Sequence, residues 1–228
     1  MQSGTNPFAG LPTVVKNLLI INGILFLVKL TNVIHIGDLN IDDLLALHFF
    51  SSPLFKPWQL VTHIFVHRDF GHVFFNMLGL FMLGPALEYK WGSKRFLTYY
   101  MVTGVGASLL YSGVHALEYH QLFGIGSGLG RSVLFSSLEG ASGAIYGVLL
   151  AFGMTYPNTE LILFPIPIPI KAKYFVLMLG AFSVYSALRA NPNDHVAHLA
   201  HLGGMLVGYI LIRLWRGRGG GNQFGWDR

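Results

Sequence analysis

The sequence predicts an all-α, polytopic membrane protein, and three observations carry the prediction. Charged residues make up only 11% of the 228-residue chain, against roughly 25% in a typical soluble domain. Hydrophobic residues reach 53% and aromatics 14%. The apolar residues also gather into runs that approach the roughly 20 needed for a helix to cross a bilayer. Cysteine is absent, which excludes disulfides, thiolate metal sites and a cysteine nucleophile.

Six spans are expected: Val15 to Val33, Leu60 to Leu87, Lys94 to Leu117, Gly140 to Tyr156, Lys173 to Leu188, and Val196 to Trp215. The first has no basic segment before it and further runs follow, so it reads as a retained span and not a cleaved signal. The second is interrupted by the polar His67-Arg68-Asp69. Between these two, His35 to Trp58 contains the stretch Ile41 to Phe50, helix-like in spacing and rich in aromatics but too short to cross. This segment reads as partly embedded in the interface, with Trp58 as an anchor at headgroup level. Leu122 to Glu139 is rich in Gly and Ser and reads as loop. The Ile-Pro alternation before the fifth span cannot be regular helix, because each Pro lacks an N–H and restricts the residue before it. The expected organisation is a short cytoplasmic N-terminus (1–14), one six-span domain (15–215) and a flexible basic tail (216–228).

Charge sets the orientation. With six spans, Lys16, Lys90, Lys94, Arg95, Lys171, Lys173, Arg213, Arg216, Arg218 and Arg228 flank one side, whereas the other holds Lys56, Arg68, Arg131 and Arg189 together with Asp38, Asp42, Asp43, Asp69, Glu118, Glu139 and Asp194. The basic excess belongs in the cytoplasm, with both termini. The net charge of +5 is therefore topological. It suits anionic lipid headgroups near Lys90, Lys94 and Arg95 and does not call for nucleic acid.

Ionisable and amide side chains within spans are expensive and are functional suspects. The second span carries His63, His67, His72 and Asn76, the fourth Ser142 and Tyr146, and the sixth His195, His198 and His201. The expected topology brings Ser142, His72, His195 and His198 toward the outer ends of their spans, with His201 and Asn76 about one turn deeper. All can share one outward-opening, water-accessible pocket. Some of these histidines recur at helical spacing, which admits a metal reading, but there is no HExxH and no carboxylate within a turn of His201. No cofactor is implied.

Ser142 lies in Gly140-Ala141-Ser142-Gly143-Ala144-Ile145-Tyr146-Gly147. By itself such a stretch is helix-packing glue, because small residues let helices approach closely. His201, in Ala200-His201-Leu202-Gly203-Gly204 and on to Gly208, supplies the base that a serine hydroxyl needs to act as a nucleophile. Glycines on both helices allow the close approach that would join the two side chains. Tyr146, one turn after Ser142, can stack on the imidazole. His72 and Asn76, also one turn apart, offer donors to a developing oxyanion, and the Ser142 amide can add another. The α/β-hydrolase elbow fails, because Ala144 stands where that motif has Gly and no strand precedes it. With no evident third carboxylate, a Ser-His dyad is expected.

From about Trp58 to Gly208 the chain resembles the rhomboid family of intramembrane serine proteases. His63, His67, His72 and Asn76 stand at the family spacing, followed in order by Gly84-x-x-x-Glu88, Gly140-x-Ser142-Gly143 and Ala200-His201-x-x-Gly204-x-x-x-Gly208. The resemblance implies a six-helix bundle with a membrane-embedded first loop and a short fourth helix that lifts the serine into a water-filled cavity. It implies Ser142 as nucleophile, His201 as general base, His72 and Asn76 at the oxyanion hole, Tyr146 packed on His201, and His67 as a structural histidine. Glu88 would hydrogen-bond near the cytoplasmic end of the second span. Substrates would be single-span membrane proteins, in a bacterial inner membrane. The family's Trp-Arg pair is here Trp58-Gln59. Gln lacks the guanidinium fork, so a less firmly tied first loop is expected. With no seventh span or large N-terminal domain in sight, the minimal six-span form is expected. Two other classes fit less well: an inactive relative that binds membrane clients would usually lose Ser or His, and a proton or ammonium channel would need repeats or paired broken helices.

Overall fold

Glu88, a carboxylate buried near the end of a membrane helix, shows how this chain satisfies its backbone. In the computed structural model, which describes residues 10–123, 134–163, 166–189 and 195–218, the helices in chain order are α1 (Thr13–Thr31), α2 (Ile41–Leu45), α3 (Gln59–Thr62), α4 (Phe70–Trp91), α5 (Ser93–Phe123), α6 (Ser142–Thr155), α7 (Ala172–Leu188) and α8 (His195–Arg218). Helix α1 starts after Pro12 and has no side-chain cap of its own. Glu88 of α4 supplies one: its two oxygens accept the Val14 and Val15 amides at 2.9 and 2.8 Å, and Ser93 Oγ donates to it at 2.6 Å. Those amides have no partner within the helix, and an anion suits the positive end of the helix dipole. Gly84 makes the approach possible, because a Cβ there would stand 2.8 Å from Val15 Cγ2.

Three helical segments are long and apolar enough to cross a bilayer, Thr13–Thr31, Phe70–Trp91 and His198–Gly217, while α6 and α7 are apolar but shorter. Outward side chains are apolar: Ile24, Leu27, Phe75, Leu177, Leu206 and Leu214 are all more than half exposed. An exposed apolar belt around buried Ser, Thr, Asn and His reverses the arrangement of a soluble domain and suits lipid.

Helix α6 occupies the centre. Gly143, Ala144, Ile145, Gly147, Val148, Leu149, Ala151 and Phe152 are all buried, as befits a helix apolar on every side. Small residues admit its neighbours to backbone contact. A Cβ on Gly147 would stand 2.8 Å from Thr103 of α5, one on Gly143 would stand 2.6 Å from Ala107 Cβ, and one on Gly204 of α8 would overlap the Gly143 carbonyl. Tyr99 Oη donates to the Gly147 carbonyl at 2.9 Å, further joining α5 to α6.

The second span differs from the expectation of Leu60 to Leu87. Leu60 to Phe65 belongs to α3 and a 3₁₀ turn (His63–Phe65), and the long helix begins only at Phe70. Asp69 starts it, its Oδ1 accepting the His72 amide at 2.9 Å, so the polar interruption is the helix cap. The Ile-Pro run is strand β6 (Ile166–Lys171), antiparallel to β5 (Glu160–Leu163). Pro167 and Pro169, two apart, put their missing N–H groups on one edge and leave the other free to pair. The centre of the expected Leu122–Glu139 loop and the end of the basic tail lie outside the described residues.

The first loop is a tied structure. It opens with the pair β1 (His35–Ile36) and β2 (Leu39–Asn40), and Asn40 then caps α2 in a reciprocal box with Asp43. Beyond α2, β3 (Leu47–His48) pairs with β4 (Ser137–Leu138), the strand just before Glu139. Gln59 corrects the expectation of a loosened loop. It is fully buried, its Oε1 accepts the His48 and Lys56 amides, and its Nε2 donates to the Asp43 and Leu54 carbonyls, all within 3.3 Å. A primary amide has both donors and acceptors, so it serves two amides and two carbonyls at once. Trp58 is half exposed, its indole donating to the Leu44 carbonyl at 2.9 Å.

Replacing Glu88 by Ala leaves two helix-start amides without a partner, each costing about 1–3 kcal/mol. We expect the detergent-solubilised Glu88→Ala variant to lose about 3 kcal/mol of stability in thermal unfolding and Glu88→Gln to lose less; equal stability of Glu88→Ala and wild type would contradict the capping role. Gly204→Ala should cost about 1–3 kcal/mol through overpacking, measured in the same way.

Candidate active site

The segment that leads into α6 is held residue by residue. Gly140 adopts φ +109°, a conformation that favours glycine, and a Cβ there would stand 2.5 Å from His72 Cε1. The Gly140 amide donates to the His63 carbonyl at 2.8 Å, and the Ala141 amide donates to His67 Nε2 at 3.3 Å. His67 is fully buried, and accepting through Nε2 assigns its ring proton to Nδ1. His63, also buried, donates through Nδ1 to the Gln59 carbonyl at 2.9 Å. Of the histidines before Phe70, His63 and His67 thus shape the backbone just ahead of Ser142.

Ser142 opens α6, where helix-start amides have no partner within the helix. Its Oγ lies 2.9 Å from His201 Nε2 of α8, an approach that Gly143 and Gly204 permit. Tyr146, one turn on, stacks flat on the His201 ring, with centroids 4.1 Å apart and planes 6° from parallel. His198 meets His201 edge-on at 5.7 Å and touches Phe182 of α7 at the same distance, so it lies beside the base and not at the serine. Among the described residues, His201 Nδ1 has no hydrogen-bond partner. His195 is the first residue of α8.

His72 and Asn76 lie on successive turns of α4. Asn76 is buried and donates through Nδ2 to the His72 carbonyl at 2.9 Å, with a second N–H on the same nitrogen. The His72 ring lies against Gly140 and meets His67 edge-on at 5.0 Å. A long 3.5 Å contact from the Arg68 amide reaches His72 Nδ1, which leaves Nε2 to carry the proton as a donor. The His72 amide holds the Asp69 carboxyl below its usual range. Burial pushes the Glu139 carboxyl up, opposed by Lys29.

A serine hydroxyl bonded to a neutral imidazole can give up its proton as the oxygen attacks a carbonyl. Helix-start amides and side-chain N–H groups close to that serine can receive the negative charge that develops. The sequence-based search passed over one residue here, Lys29. It is the lone charge in the later part of the first apolar run, and an ionisable group within a span was the signal available.

The Rhomboid domain profile matches residues 54–218. Rhomboid protein 1, mitochondrial, of Saccharomyces cerevisiae is 31% identical over 153 residues, covering 67% of this chain and 40% of that protein. The putative rhomboid protease YdcA of Bacillus subtilis is 30% identical over 156 residues, covering 68% of this chain and 65% of its own length. Rhomboid protease AarA of Providencia stuartii is 27% identical over 157 residues, covering 68% and 54% respectively. The chain thus spans between 40% and 65% of the length of these relatives. The matched region takes in every helix from α3 to α8 and both partners of the Ser142–His201 contact, and on that extent this integral membrane protein belongs to the rhomboid family.

Proposed function

We propose that the chain is an intramembrane serine endopeptidase that cleaves peptide bonds in or near the transmembrane segments of membrane proteins. The observation that carries this reading is the 2.9 Å contact between Ser142 Oγ and His201 Nε2, under a stacked Tyr146. Ser142 attacks the scissile carbonyl while His201 Nε2 takes its proton. The oxyanion is received by the Ser142 amide, His72 Nε2 and Asn76 Nδ2. His201 then gives the proton to the leaving amine, and a water activated by the same imidazole releases the acyl group. Stacking on Tyr146 holds the ring in plane through both transfers, and His67 holds the Ala141 backbone.

In this reading six helices cross the bilayer within residues 15–215, with both termini in the cytoplasm of a bacterial cell and the first loop embedded sideways. Helix α6 has 14 residues and is about 21 Å long, short of the ~30 Å hydrocarbon core. Ending near the cytoplasmic face, it starts beneath the outer surface, where water can reach Ser142 from outside. A substrate helix must unwind locally before its carbonyls become available, since they are otherwise bonded within the helix.

The test is cleavage of a reporter transmembrane substrate by purified protein, alongside covalent labelling by a fluorophosphonate. Ser142→Ala and His201→Ala should each lose about 10³-fold or more in kcat, and labelling should vanish in Ser142→Ala. His198→Ala should keep most activity, because its ring meets the base and not the serine. Activity lost in His198→Ala but kept in His201→Ala would move the base role one turn. A chain that binds membrane proteins but neither cleaves nor labels would be an inactive client-binding relative.

A further inference from the structure

Lys29 lies near the end of α1, among Leu25, Phe26, Leu27, Val28 and Leu30. An ammonium at that depth requires compensation, and its surroundings supply it fully. Nζ donates to the His67 carbonyl at 2.8 Å, and pairs with Asp42 Oδ2 at 2.9 Å and Glu139 Oε2 at 3.2 Å. Three N–H groups meet three acceptors. The Lys29 and Glu139 side chains are mostly buried, at 16% and 13% exposure.

The three acceptors belong to three separate pieces of the molecule. Asp42 is in α2 of the first loop. His67 is the residue whose imidazole accepts the Ala141 amide. Glu139 comes directly before Gly140, whose glycine conformation seats the His72 ring. Pairing of β3 with β4 joins the first loop to Ser137 and Leu138, just upstream. From Ser137 to Ala141, every residue is therefore held: two by the first-loop strand, one by Lys29, one by the His63 carbonyl and one by the His67 ring.

We propose that Lys29 is a positioning residue for the serine reaction. By drawing Glu139 and the His67 carbonyl to one ammonium, it sets the backbone that presents the Ser142 amide and the Gly140–His72 contact, and through Asp42 it joins that backbone to the first loop. The inference rests on the protease reading above. It also separates stability from turnover. Removing one partner of a buried ion pair lowers stability, because the other charge is left uncompensated, whereas replacing both can be nearly neutral. A misplacement on the ångström scale at a reacting centre can cost up to ~10²-fold in rate.

The experiment uses the full chain in lipid with Lys29→Met, Glu139→Gln, the double variant and Lys29→Arg, and reads kcat, KM, fluorophosphonate labelling rate and Tm. We expect Lys29→Met to lower kcat and labelling about 10- to 100-fold, with KM within about twofold and a lowered Tm that the double variant recovers in part without recovering the rate. The double variant should be no slower than Lys29→Met, as members of one network are non-additive, and Lys29→Arg should recover part of the rate. Should Lys29→Met fail to fold, Glu139→Gln carries the same direction with a smaller loss, because its amide oxygen still accepts from Lys29 but carries no charge to draw the ammonium. Wild-type kcat in the folded single variants, or losses that multiply in the double, would overturn the positioning role. If wild-type protein itself neither cleaves nor labels, it is the protease reading that fails, and this inference falls with it.

Discussion

Everything in the proposed chemistry depends on how closely two helix backbones approach. With any side chain at 204, α8 would collide with the Gly143 carbonyl, and the imidazole of His201 would be carried away from Ser142. In lipid there is no hydrophobic drive to press helices together, so contact comes from packing of small residues and from hydrogen bonds. Here both operate: glycines at 143, 147, 204 and 208 remove the obstacles, and Tyr99 fastens α5 to the Gly147 carbonyl. The serine–histidine distance is thus a property of the helix interface before it is a property of either side chain.

The same economy of backbone groups governs the periphery. Glu88 caps a helix that has no cap of its own, Asp69 caps the next long helix, and Gln59 serves four backbone groups of the first loop. Each is a polar side chain whose partners are main-chain atoms that low-dielectric surroundings would otherwise leave unsatisfied. The polar interior is largely a means of closing the backbone, and the residues nearest the serine are the part from which chemistry can be drawn.

Much of this could be read from the chain. Apolar runs and sparse charge identified the membrane bundle, and the small residues around it singled out His201 among ten histidines as the one to lie beside Ser142. What escaped was long-range and local at once. The start of α4 was misplaced because His67-Arg68-Asp69 reads as a break in a run, whereas Asp69 is a cap whose effect depends on one hydrogen bond. Gln59 was undervalued because composition records its lost charge, while its two-sided hydrogen bonding emerges only when Asp43, His48, Leu54 and Lys56 converge on it. Lys29 lies 110 residues from Glu139 in sequence, and no local pattern links them.

Gln59 and Lys29 give the first loop two fastenings of different physical character. The inner one is a neutral amide that neither titrates nor carries a charge for salt to screen. The outer one is ionic, and Asp42 keeps a side-chain exposure of 34%, so electrolyte weakens it. The loop is therefore a clasp with one pin that ignores the ionic strength of the solution and another that answers to it: a change of salt can slacken its outer edge while its root stays closed.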